Sequence, residues 1–162
     1  MIDVREATTE DEIASARTLI HEFIGWLRQV YPEAKDALEE DFRAVEAELD
    51  TYKPPTGKLL VAYVDGHAAG IVALRDIGQR ICEMKHTFVS AKFRGQGVGR
   101  ALTITVIRDA RALGYLDMRL GTGAKQVAAQ GLYRSLGFRE IPSYHEVSKR
   151  PQSALIFMER RL

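Results

Sequence analysis

Cysteine is almost absent: Cys82 is the single one in 162 residues, which excludes an internal disulfide and fits a reducing compartment. Long apolar runs are missing too. The longest, Leu59 to Val64, falls far short of the ~20 residues that a membrane span needs. Met1 to Glu10 carries acids and no apolar stretch, so a signal peptide is not expected and a cytoplasmic location is. Neither sign of charge is in excess. The 23 basic and 22 acidic residues leave a net charge of +1, which argues against nucleic acid or a membrane surface as partner. Lys149-Arg150 and Arg160-Arg161 are too short for a nucleic-acid footprint. His21, His67, His86 and His145 lack metal-ligand spacing, so no metal is expected. No segment repeats and none is low in complexity.

What remains is an ordinary globular composition, 46% apolar and 28% charged. A chain of this length hides roughly 70% of its unfolded surface, enough for one domain over 1–162. Ile2 to Ala7 alternates as a short strand. Thr9 and Glu12 form a capping box that starts a helix near Glu10, with Ile13, Ala16, Leu19, Ile20, Phe23, Ile24 and Leu27 on its buried face. Pro32 opens a second helix with Leu38, Phe42, Val45 and Leu49 inward, stopped by Pro54-Pro55. Strands follow at Leu59 to Val64 and Ala68 to Leu74, joined through Asp65-Gly66, and a third at Arg80 to Val89. A helix of about 14 residues ends near Gly114, as a C-cap glycine predicts. Tyr115 to Leu120 reads as a strand, Lys125 to Leu136 as a helix, and Gly137 to Ile141 and Ala154 to Met158 as closing strands. The polar loop Pro142 to Gln152 is long enough to be functional or mobile. Such an order implies a mixed α/β sheet flanked by helices.

Between the third strand and its helix lies Arg94-Gly95-Gln96-Gly97-Val98-Gly99-Arg100. Glycines let backbone approach a ligand closely, and a helix start offers unpaired N–H groups on the positive end of its dipole. Together they describe a phosphate-binding loop. A dinucleotide fingerprint would need glycine where Arg100 stands, and a Walker loop would need Gly-Lys followed by Ser or Thr.

The pattern Arg94-x-x-Gly97-x-Gly99, five residues after Val89, resembles motif A of the GCN5-related N-acetyltransferases (GNAT). Leu132-Tyr133, followed by Gly137-Phe138, resembles that family's second landmark. The element order is similar to the GNAT fold, with the resemblance strongest over Lys58 to Glu140 and thin before Tyr52: a mostly antiparallel sheet of six to seven strands with about four helices, splayed between the strand at 80–89 and the strand at 115–120. The resemblance implies an acyltransferase that passes the acetyl group of acetyl-coenzyme A directly to a primary amine of a small molecule or peptide, in a ternary complex. It also implies a possible homodimer. Another acyl group, or a non-catalytic coenzyme-A-binding sensor, are the alternatives.

The resemblance assigns roles to particular residues. Glu83, six residues before Val89, stands where the family carries a general base, acting directly or through water. Its other reading is a surface pair with Lys85, two residues along on the same strand face. Tyr133 is the general acid toward the coenzyme sulfur. The backbone of Phe88 and Val89 would pair with the pantetheine arm, and a bulge near Thr87 would open the sheet and aim an N–H at the thioester oxygen. Arg94, Gly95, Gln96, Gly97, Val98, Gly99 and Arg100 would hold the phosphates. Gln126 stands where the family often has a coenzyme-contacting asparagine, and the connector Ser90-Ala91-Lys92 lacks a common proline. Cys82 reads as a small core residue, and His86 as either a substrate contact or packing. Phe23, Trp26, Tyr31, Tyr52, Tyr144 and His145, with the acids Glu22, Glu33 and Asp36, lie in segments that would face the acceptor. For these the core and surface reading is favoured.

Overall fold

Strands and helices follow one another in the order that the periodicity predicts in the computed structural model, which describes residues 1–144 and 155–162. Strand β1 (Ile2–Glu6) leads into helix α1 (Glu10–Val30), whose start is the predicted capping box. Glu12 N–H donates to Thr9 Oγ1 at 3.2 Å, and Thr9 N–H to Glu12 Oε2 at 3.1 Å. Pro32 opens a 3-10 turn (Pro32–Ala34) rather than the helix itself, and α2 (Lys35–Leu49) follows. The hairpin strands are β2 (Lys58–Val64), β3 (His67–Asp76) and β4 (Ile81–Val89). Then come α3 (Val98–Ala112), β5 (Asp117–Gly123), α4 (Val127–Ser135), β6 (Arg139–Ile141) and β7 (Leu155–Arg161). His145 and most of the predicted loop Pro142 to Gln152 lie outside the described residues. No helix among the described residues is long and apolar enough to cross a membrane.

One seven-stranded sheet runs in the order β1-β2-β3-β4-β5-β7-β6. Among the described residues only β4 and β5 pair in parallel, joined by a strand–helix–strand crossover through α3. The period of two sorts β2 between two cores. Leu60, Ala62 and Val64 pack with α3, while Leu59 and Val61 pack with α1 and α2. Leu19, Ile20, Ile24 and Leu38 fill the α1–α2 layer; Leu102, Val106 and Tyr133 fill the α3–α4 layer. Each fully buried aliphatic side chain contributes about 1.5–3 kcal/mol of transfer free energy.

Phe42 departs from its predicted inward position and is 37% exposed. At 3.6 residues per turn it lies about 40° from Leu38, on the side away from Val45, at the margin of a narrow stripe. There its ring stacks on His21 at 4.2 Å and under the guanidinium of Arg28 at 4.9 Å.

Two irregularities shape β4. Its register with β3 passes from Ala73↔Lys85 to Ile71↔Phe88, which leaves His86 and Thr87 opposite Val72 alone. This is the predicted bulge, and His86 carries it at φ 56°. A left-handed backbone at a non-glycine residue costs roughly 1–2 kcal/mol. The extra residue inverts the alternation: Cys82 and Met84 face the α3 layer, whereas Phe88 packs in the α1 layer. The second irregularity is a break in pairing. β4 and β5 pair only at Ile81↔Asp117, Cys82↔Met118 and Glu83↔Arg119, while each continues with its outer neighbour as far as Val89 and Gly123. The sheet therefore splays just beyond Glu83, as expected.

Leu102 is fully buried beneath the sheet. Leu102→Ala is expected to lower the unfolding free energy by about 2–5 kcal/mol, read from urea denaturation.

Candidate active site

The splay opens into a cavity of ≈ 520 Å³ bounded by α1, α2, the wedge between β4 and β5, the start of α4, and β7. Glu83, His86, Thr87, Gln126 and Tyr133 all line it, so the two residues predicted to be catalytic share one space.

Glu83 sits at the apex of the wedge and is 2% exposed. Burying a carboxylate is costly unless it is paired, and two partners meet that need. Arg75, directly opposite in the β3–β4 register, donates from Nε at 2.9 Å and Nη2 at 2.7 Å to Oε1. Tyr144 donates its hydroxyl to Oε2 at 2.8 Å. Burial, then the adjoining Glu83 charge, push the Tyr144 phenol well above its usual range. Lys85, the alternative partner read from sequence, lies instead 3.9 Å from Glu48.

Tyr133 is 4% exposed and packs edge-on against Phe138 at 5.8 Å. Burial raises its phenol pKa, with the Thr87 side chain acting in the opposite direction. A phenol so placed keeps its proton across the working pH range. Cys82 is buried, and burial drives its thiol up to about 12, in keeping with a core role.

The glycine loop leaves β4 through a 3-10 turn (Ala91–Phe93) and enters α3 at Gly97. Gly95 and Gly97 have φ of 77° and 86°, and a Cβ on either would meet no atom within 4 Å. The outer side of the loop is open, and α3 has no side-chain cap on its first N–H groups. Val98 is a core side chain, so only its backbone is available to a ligand. Arg94 donates from Nε to the Val89 carbonyl at 3.0 Å and lies over Trp26, 5.2 Å from the ring centre. Arg100 reaches the Ser135 hydroxyl at 3.2 Å, and Gln96 the Lys92 carbonyl at 3.4 Å. Gln126 accepts from the Gly123 N–H at 2.8 Å. A Cβ on Gly123 would lie 2.0 Å from the Tyr31 hydroxyl, so that close approach requires glycine.

Among the residues offered for the acceptor side, Phe23 and Tyr31 line the cavity. Phe23 also stacks on Phe88 at 5.1 Å. Tyr52 is a core residue, Glu22 accepts from Ser90 Oγ at 2.8 Å, and Glu33 stands 4.0 Å from Lys125. Several contributors have no sequence motif. Gln130 holds the β5–α4 turn through the Gly123 and Ala124 carbonyls, at 2.9 and 3.1 Å. Glu48, from α2, meets His86 Nε2 at 2.8 Å and accepts from the Tyr52 hydroxyl at 3.2 Å. Arg75 was in principle accessible, because the turn at Gly78 sets the hairpin register that places it opposite Glu83.

The region 18–138 matches the Acetyltransferase (GNAT) family, and the chain belongs to it. It is 40% identical over 98 residues to the N-acetylaspartate synthetase of Homo sapiens, covering 59% of this chain and 32% of that protein. It is 34% identical over 113 residues to N-acetyltransferase family 8 member 2 of Rattus norvegicus, covering 66% and 50%. The chain thus spans a third to a half of the length of these curated relatives. Its fold is similar to a GNAT acetyltransferase of Staphylococcus aureus, with a TM-score of 0.74, 24% identity and 99% of both chains covered. It is also similar to a GNAT acetyltransferase from Elizabethkingia anophelis solved with acetyl-CoA bound, with a TM-score of 0.57, 25% identity, and 72% and 82% covered.

Glu48 gives a test of the site's electrostatics. Burial opposes its charge, but the hydrogen bond from His86 and the charges of Lys85 and His86 outweigh that and hold it at about 2 against an ordinary 4.5. A lowered carboxylate stabilises the fold above 4.5 and loses that contribution as pH falls toward 2. Glu48→Gln is therefore expected to lower stability near neutrality and to flatten its decline over this acid window, read by urea denaturation at a series of pH values.

Proposed function

We propose that this protein transfers the acetyl group of acetyl-coenzyme A directly to a primary amine of a small molecule or peptide, with both bound together. The observation that carries this reading is the splay beyond Glu83. It brings a buried carboxylate and a buried, protonated phenol to one cavity, and the open glycine loop follows the end of the same strand β4.

The residues present fit the coenzyme. Gly95, Gln96, Gly97, Val98, Gly99 and Arg100 would hold its phosphates through backbone N–H groups and the Arg100 charge. Arg94 would add its guanidinium. Thr87, Phe88 and Val89 would present the β4 edge to the pantetheine arm, and Gln126 borders the same cavity. The coenzyme supplies an acyl carbon activated as a thioester. An ammonium acceptor, with an ordinary pKa of ~10.4, must be deprotonated before it attacks. Glu83 draws it by charge and takes a proton, directly or through water. Tyr133 gives a proton to the departing thiolate. The relatives named for N-acetylaspartate and N-acetyltransferase chemistry support an amine acceptor.

Free-thiol release from acetyl-coenzyme A across amino acids, aliphatic and aromatic amines and N-terminal peptides tests the reading. Turnover with at least one class is expected. Thermal stabilisation by the coenzyme with no turnover would leave a binding domain, and no stabilisation at millimolar coenzyme would overturn the reading entirely. Tyr133→Phe is expected to cut kcat by about 100-fold with coenzyme affinity retained. Glu83→Gln is expected to flatten the alkaline rise of the rate; an unchanged pH profile would remove it as base.

A further inference from the structure

On the acyl-transfer reading above, the acceptor nitrogen sheds two protons in each turnover. One leaves the ammonium before attack and one leaves as the C–N bond forms. The departing sulfur takes up one proton, so one is released. Glu83 is a single acceptor, already bound by Arg75 and Tyr144. We propose that His86, held by Glu48, is a second catalytic residue of this chain and accepts the other of the two protons.

His86 lines the same cavity as Glu83 and Tyr133. It occupies the β4 bulge in a left-handed conformation, which glycine or asparagine would adopt with less strain. Strain retained at a cavity wall is characteristic of functional positions. Its Nε2 lies 2.8 Å from Glu48 Oε2, so with Nε2–H donating there the lone pair is on Nδ1. Glu48 reaches it from α2, against a second oxygen 3.9 Å from Lys85 Nζ. The Tyr52 ring meets the imidazole edge-on at 5.8 Å. Glu83 and Lys85 on its own strand and Arg75 on β3 complete the surrounding charges, and Glu40 and Asp41 border the cavity from α2.

The step balances. As the nitrogen's N–H bond breaks, its electron pair stays on nitrogen as the C–N bond forms, and the imidazole takes the proton. The imidazolium is stabilised by the Glu48 carboxylate and returns its proton, through water, to the phenolate that Tyr133 becomes on protonating the sulfur, while Glu83 releases the other proton to solvent. An imidazole whose Nε2–H is held by a carboxylate presents Nδ1 as the proton acceptor. Glu48 is a positioning residue that fixes the ring and its tautomer.

The test compares the parent with His86→Gln, His86→Asn and Glu48→Gln, using the panel amine with fastest thiol release. The rate is followed over pH 5.5–9, coenzyme affinity by titration calorimetry, and the His86 ring by nitrogen NMR. His86→Asn keeps a left-handed backbone and guards against loss of folding. Both His86 variants are expected to lose about 100-fold in kcat at pH 7 and the near-neutral limb of the pH profile, with coenzyme affinity as in the parent. Glu48→Gln is expected to move that limb along the pH axis while retaining more activity than either. A parent-like profile in the His86 variants, a loss of coenzyme affinity matching the loss of rate, or an imidazole that does not titrate between pH 5 and 9 would each overturn the assignment. A parent inactive on every amine would fail at the preceding step and overturn the transferase reading as well.

Discussion

The structure turns on one interruption: β4 and β5 stop pairing after Glu83 and Arg119. A parallel pair in the middle of a sheet would ordinarily run to the strand ends. Here the bulge at His86 and Thr87 twists β4 away while β5 keeps its register with β7 to Gly123. Backbone groups on both strands are thereby released from the ladder in the interior of the fold, where unpaired polar groups are costly. A ligand with an extended, amide-bearing arm is the natural partner for such an opening. The proposed coenzyme has that chemistry.

The helices hold the interruption open. α1 is fastened across the β4 end by Glu22 on Ser90, by Phe23 stacked on Phe88 and by the tilted Trp26 ring beside it. α2 is fastened by Glu48 on His86. On the other side, Gln130 and Tyr31 secure the β5–α4 turn, Tyr31 accepting from the Lys125 N–H at 2.9 Å. Polar contacts thus sit at the margins of the wedge, while aliphatic packing fills the rest of both layers.

Much of the fold was legible in the sequence, because its signals are local. The Thr9–Glu12 box, the Asp65-Gly66 turn and Gly114 each encode their own geometry within a few residues. The glycine loop and Leu132-Tyr133 gave the family by spacing. Glu83 and Tyr133 were expected to share a site, and both border the cavity. What was not legible depends on contacts far apart in the chain. Glu48 meets His86 across 38 residues, and Tyr144 meets Glu83 across 61. No periodicity reports such meetings, and only the assembled sheet does. Phe42 failed for a smaller reason, since helical spacing does not say where a narrow apolar stripe ends.

The bulge also bears on how this scaffold tolerates change. Because one extra residue inverts the facing of β4, the identities of Glu83, Thr87 and Phe88 matter only in combination with their count. Removing a residue between Lys85 and Phe88 would restore strict alternation with Phe88 still opposite Ile71 in the α1 layer, and would remove the bulge that turns β4 away from β5. It would also join the strand edges that the fold keeps apart. Most substitutions in β4 alter one contact, whereas a single-codon deletion at the bulge would remove the irregularity that holds the wedge open. Divergence of this protein is therefore constrained more tightly in the length of β4 than in its letters.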